Sequence, residues 1–122
     1  MTHPDDELRK RLPLSPAAFC TLLALKDGDK HGYTILRQVA EQSEGAVRLL
    51  PGTLYNLLKR MLEDGWIEEL DERPDPALDD ERRRYYRLTA LGEKVASLEA
   101  QRLEGLVRAA KSHGIQIAQE GR

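Results

Sequence analysis

The segment from Pro51 to Gly65 limits what this chain can become more than any other. Leu54, Leu57, Leu58, Met61 and Leu62 recur at helical spacing, and the next residues, Trp66-Ile67-Glu68-Glu69-Leu70, change abruptly to strand composition. Pro51 suits the first turn of a helix and Gly65 suits its end. Arg83-Arg84-Tyr85-Tyr86-Arg87-Leu88 supplies a second strand, and Asp71 to Arg82, with Pro74 and Pro76, reads as the loop between the two.

Upstream, Ser15 and Pro16 announce a helix that ends near Asp27-Gly28, with Phe19, Leu22, Leu23 and Leu25 covering much of its circumference. A second helix starts around His31-Gly32-Tyr33, carries Ile35, Leu36, Val39 and Ala40, and stops at Ser43-Glu44-Gly45. Val47-Arg48-Leu49 is a short extended candidate. Downstream, Thr89 opens a long helix that runs to His113-Gly114. The order is helix, helix, short strand, helix, strand, strand, helix. It predicts a mainly α fold with a small β-hairpin, a winged helix-turn-helix plus a long C-terminal helix. The expected divisions are a flexible tail over 1–13, the winged helix-turn-helix over 14–88, the C-terminal helix over 89–114 and a flexible tail over 115–122.

A length of 122 residues allows one compact domain and leaves no room for a separate ligand-binding domain. The formal net charge of -2 gives no global attraction to nucleic acid, so any such role depends on where the charge sits. Cys20 stands alone, residues 2–11 are mostly polar and charged, and no apolar run approaches the ~20 residues a membrane span requires. A cytoplasmic protein without a membrane partner is expected.

On a helical wheel the leucines of 51–64 share one face, while Gly52, Asn56, Lys59 and Glu63 lie opposite, with Tyr55 and Arg60 at the flanks. Free amides at the start of such a helix suit a phosphate oxygen, and Thr53 adds a hydroxyl. Asn56 has the chemistry to read base edges, and Lys59 that to meet a phosphate or guanine. A solvated polar face has the same composition, and the ring of Tyr55 can equally cover the rim of the core. Arg82, Arg83, Arg84 and Arg87 cluster around Tyr85 and Tyr86, so arginines at the hairpin can reach a DNA backbone. Asp79, Asp80 and Glu81 stand directly before them and can neutralise them.

His31-Gly32-Tyr33, Gly52-Thr53-Leu54-Tyr55, Leu58 to Gly65 and Arg84-Tyr85-Tyr86-Arg87-Leu88-Thr89-Ala90-Leu91-Gly92 together resemble the signature segments of PadR-type transcriptional regulators, over about residues 14 to 95. The resemblance implies that the helix 51–64 enters the major groove, that a hairpin wing lies beside it and that a C-terminal helix dimerises, as in the short subgroup. Gly52, Thr53, Tyr55, Asn56 and Lys59, with Arg83, Arg84 and Arg87 on the wing, are the expected DNA-binding residues. Gly32 and Tyr33 read as structural, the glycine for close helix packing and the tyrosine as a core residue. The acidic wing loop with its two prolines departs from the pattern at the tip. A small apolar effector between subunits fits the resemblance, although no pocket for it is legible.

In the last helix Leu91, Val95, Leu98 and Leu106 form one stripe, and Ala96, Ala100, Leu103 and Val107 a second apolar flank. Leu91, Val95, Leu98, Leu103, Leu106 and Val107 are the expected dimer interface, giving a two-fold dimer matched to a palindromic double-stranded operator. The competing arrangement folds this helix back on its own domain. The expected function is sequence-specific transcriptional regulation, with repression favoured over activation. Against an enzyme, His3, His31 and His113 are scattered, Cys20 lies in an apolar stretch as a packing residue, and neither a catalytic pair nor a phosphate-cradling loop is present. No cofactor and no metal are expected, since His3, Asp5 and Asp6 fall in the N-terminal tail. A winged-helix interaction module without DNA binding remains the rival from another class.

Overall fold

The computed structural model describes residues 3–70 and 84–118. In chain order the elements are α1 (Asp6–Arg9), α2 (Pro16–Lys26), β1 (Lys30–His31), α3 (Gly32–Gln42), α4 (Pro51–Glu63), β2 (Ile67–Leu70), β3 (Tyr85–Leu88) and α5 (Ala90–Ser112). The expected mainly helical winged architecture is the one observed. The strands form one antiparallel sheet in the order β1-β3-β2.

Local chemistry sets the helix ends. Ser15 Oγ accepts from the Ala18 amide at 3.1 Å, and Pro16 occupies the first turn, where its missing N–H costs nothing. His31 Nδ1 accepts from the Thr34 amide at 3.3 Å and so caps α3. Gly65, at φ +78°, provides the left-handed turn that ends α4 and releases the chain into β2.

Leu22 and Leu25 of α2 share one buried core with Ile35 and Val39 of α3, Leu54, Leu58 and Met61 of α4, Ile67 and Tyr86 of the sheet, and Val95 of α5. Burying a side chain of this size contributes roughly 1.5–3 kcal/mol. α4 therefore owes its orientation to its apolar face.

Three elements meet at one joint. The Thr89 amide donates to Trp66 O at 3.1 Å, Thr89 Oγ1 donates to Gly65 O at 2.7 Å, and the Gly92 amide donates to Thr89 Oγ1 at 3.0 Å. A Cβ on Gly92 would lie only 2.0 Å from Trp66 O, so the hairpin and the root of α5 are in contact here through backbone. The end of α4, the base of the wing and the start of α5 are thereby fixed together.

The structure departs from the sequence expectations in several places. The short strand is Lys30–His31, not Val47–Leu49, because Ser43 Oγ accepts from the Val47 amide at 2.9 Å and Val47 and Leu49 pack against the core. The wing strands are one to two residues shorter at their starts, Ile67–Leu70 and Tyr85–Leu88. The segment expected as an N-terminal tail contains α1, and it is tied to the body by Asp5–Lys94 at 3.2 Å and Arg11–Asp64 at 2.6 Å. The Arg11 guanidinium also lies 5.0 Å from the centre of the Trp66 ring, a cation–π contact. Finally, Val95 and Leu98, expected at a subunit interface, are 0% and 4% exposed within the chain itself. They are unavailable to a partner because the first half of α5 packs on α2 and β3. Beyond Glu99 the helix leaves the body, and from 100 to 112 only Arg102 and Ala110 are even half-covered.

Candidate nucleic-acid interface

On α4, Leu54, Leu58 and Met61 face inward, and Gly52, Thr53, Asn56 and Lys59 are all exposed. The residue before the helix, Leu50, offers no side-chain cap, so the first amides of α4 face outward without an internal acceptor from that side chain. Free amides, a hydroxyl, a carboxamide and an ammonium thus lie along one edge. Such an edge can take a phosphate at its start and base edges further on. Tyr55 is 39% exposed and borders both worlds, since its hydroxyl is where a Cβ on Gly32 would come within 3.2 Å. Gly32 therefore has the close-packing role its position in the sequence indicated.

The cations sort into two groups. Among the described residues no carboxylate oxygen lies within 4.0 Å of Arg37, Arg48, Lys59 or Arg60. At the wing base the opposite holds. Arg84 Nη1 donates to Glu69 at 3.0 Å, and Arg87 pairs with Asp29 at 3.3 Å and Glu68 at 3.5 Å. The hydrogen bond to Asp29, and then its charge, hold the Arg87 guanidinium even more firmly protonated than usual. The register explains the pairing, because Glu68 stands opposite Arg87 and Glu69 opposite Tyr86. Arg83 and the acidic loop residues lie outside the described residues.

Between α4 and the wing base runs a groove of about 510 Å³ lined by Tyr55, Leu58, Lys59, Leu62, Glu69, Arg84 and Tyr86. Tyr86 is buried at its floor, and desolvation, reinforced by Glu69, raises the pKa of its phenol. Tyr85, on the other face, meets His31 edge-on with ring centres 5.4 Å apart.

On α3 a further residue lies away from its expected place. Tyr33, expected in the core, is 70% exposed. The helical wheel carried the warning, since Gly32, Ile35 and Val39 define the buried face of α3 and Tyr33 points roughly a third of a turn away from it.

On the far side of the molecule, Glu99 is 1% exposed and accepts from the Leu14 amide at 3.1 Å and from Arg102 at 2.6 Å and 2.9 Å. The hydrogen bond from Arg102 is the main reason its carboxyl is held below the usual range, against the opposing effect of burial. Beyond it Leu103, Leu106 and Val107 are 36%, 56% and 43% exposed, as is Leu91 at 40% near the root. Cys20 is half-buried and its thiol pKa is raised by desolvation, which makes it a poor nucleophile. Among the described residues no group of three or more metal-ligating side chains could hold an ion, and no helix is long and apolar enough to cross a membrane.

Residues 21–98 match the Transcriptional regulator PadR-like family. Among solved structures, a PadR family transcription regulator from hypervirulent Clostridium difficile R20291 is 27% identical with a TM-score of 0.67, covering 81% of this chain and 98% of that one. A Streptococcus transcriptional regulator is 26% identical with a TM-score of 0.64, covering 80% and 90%. A transcriptional regulator from Clostridium thermocellum, at 22% identity and a TM-score of 0.65 over 91% and 97%, agrees in fold. No curated protein sequence matches the chain.

Proposed function

Because the chain belongs to the PadR-like family of transcriptional regulators, we propose that it binds a specific operator as a homodimer, with the exposed edge of α4 in the major groove of each half-site. The observation that carries this reading is the split of α4 into an apolar face buried at Leu54, Leu58 and Met61 and an exposed edge of Gly52, Thr53, Asn56 and Lys59, with no carboxylate pairing the lysine among the described residues. Asn56 is suited to bidentate contact with adenine, and Lys59 to guanine or a phosphate. Arg84 and Arg87 have to exchange their present carboxylates for phosphates before they contribute. In this reading the wing base is the weaker half of the interface.

For the dimer, the support is the exposed half of α5. Leu103, Leu106 and Val107 lie three and four residues apart on a helix that has left its own body, and Leu91 is exposed nearer the root. A two-fold partner covering that stripe sets the two α4 helices about one turn of DNA apart, roughly 34–36 Å, and calls for a palindromic operator. Repression follows where such an operator overlaps a promoter. An apolar effector between the subunits would have to bind among these same leucines.

The test is capture of genomic fragments by the purified protein, followed by affinity measurements on a captured fragment. Lys59→Ala should lower affinity about tenfold at fixed salt. Parent-like affinity would remove α4 from the interface. Sedimentation should give a dimer at micromolar concentration, and a monomer there would remove the two-fold arrangement.

A further inference from the structure

We propose that Leu50, the residue just before α4, packs on the methyl group of a thymine in each half-site and so makes the operator require thymine at that position. The proposal rests on the reading of α4 as the helix that enters the major groove. Leu50 is 74% exposed, more than any other large apolar side chain among the described residues. Its direction is fixed by its surroundings. Ser43, whose hydroxyl donates to Val39 O at 2.9 Å and accepts from the Val47 amide at the same distance, holds the start of the segment. From there burial alternates, with Val47 and Leu49 packed against the core and Arg48 and Leu50 turned outward. Pro51 keeps Leu50 out of helical geometry, and its backbone is extended at φ -79° and ψ 149°.

Neither the helix nor the core gains from a leucine at this position. Leu50 is the N-cap of α4 and makes no side-chain cap hydrogen bond, where serine, threonine, aspartate or asparagine would stabilise the helix. Its apolar surface stays in water instead. What it adjoins is the leading end of the exposed edge, since Gly52 and Thr53 follow within three residues. A Cβ on Gly52 would meet nothing within 4 Å, so the space beside Leu50 is open to a base pair. In the major groove the 5-methyl of thymine is the one methyl group a base pair presents, and an aliphatic side chain is its natural partner. The polar groups of α4 read hydrogen-bonding edges, and Leu50 adds a contact that no hydrogen bond supplies.

The test uses a captured genomic fragment synthesised with each thymine in turn replaced by uracil, which removes the 5-methyl and nothing else. For the parent protein, one position in each half-site should lose about fourfold in affinity on that replacement, the effect of one buried methyl. Leu50→Ser should weaken binding to the thymine duplex by a similar factor and bind the thymine and uracil duplexes equally at that position. Leu50→Met should keep the parent's preference. Leu50→Ser should also unfold a few degrees higher, because the serine hydroxyl caps α4. Weaker binding by a more stable protein separates a contact to DNA from a role in the fold. The proposal is overturned if no thymine of the fragment is sensitive to the replacement, or if Leu50→Ser retains the parent's sensitivity at every position. In either case a loss of affinity for Lys59→Ala leaves the reading of α4 standing. If Lys59→Ala is itself without effect, the failure belongs to α4, and Leu50 falls with it.

Discussion

The α3–α4 surface and the scaffold formed by the wing base and α5 carry similar side chains and use them in opposite ways. At the wing base Arg84 and Arg87 face Glu69, Glu68 and Asp29, and midway along α5 Arg102 faces Glu99. On α3 and α4, Arg37, Lys59 and Arg60 face no carboxylate within 4.0 Å among the described residues. A run of arginines in a sequence therefore measures charge and not its availability. With a net charge of -2, the chain attracts DNA only where its acidic residues are absent.

If that contrast is real, changes on the scaffold side should move stability, and changes on the α3–α4 side should move DNA affinity. The largest effect should come from Gly92→Ala. Its new methyl would collide with backbone at Trp66 O, which cannot yield as a flexible side chain would, so a loss of about 3 kcal/mol or more is expected in thermal or urea unfolding. Next is Glu99→Ala, which strips the Leu14 amide of its acceptor and should cost about 2 kcal/mol by the same measurement. Because folding lowers the pKa of this carboxyl, its contribution is complete at neutral pH and is lost as pH falls through the lowered value. Glu99→Gln should accordingly flatten the acid limb of a stability-against-pH curve.

On the other side of the contrast, Asn56→Ala should leave unfolding unchanged and lower affinity for a captured fragment by about 1–3 kcal/mol, while affinity for random duplex changes far less. The smallest effect should belong to Arg84→Ala, about threefold or less in affinity, because its guanidinium is already engaged by Glu69. A larger loss for Arg84→Ala than for Lys59→Ala would erase the distinction between the two regions.

How much of this was readable in advance depends on how each feature is encoded. The wheel of Leu54, Leu57, Leu58, Met61 and Leu62 placed α4 and its exposed edge, since a helix with one strongly apolar face has one orientation against a core. Ser15 and Thr89 marked two helix starts through their capping hydroxyls. β1 was illegible because two polar residues carry no alternation, and its existence depends on the free edge of β3. The carboxylate partners of Arg87 were equally hidden, one of them across the register of the hairpin and the other, Asp29, far away in sequence. The α5 stripe misled at Val95 and Leu98 because a wheel shows which residues are apolar, not whether the chain's own core or another surface covers them.

The central claim is that DNA meets this protein along α4. Backbone amide resonances, followed by NMR as a captured fragment is added, address it directly. The account predicts that the largest shifts fall on Gly52 to Lys59, with little change along Leu103 to Val107. Shifts concentrated at β2, β3 and α5, with Gly52 to Lys59 unmoved, would contradict it.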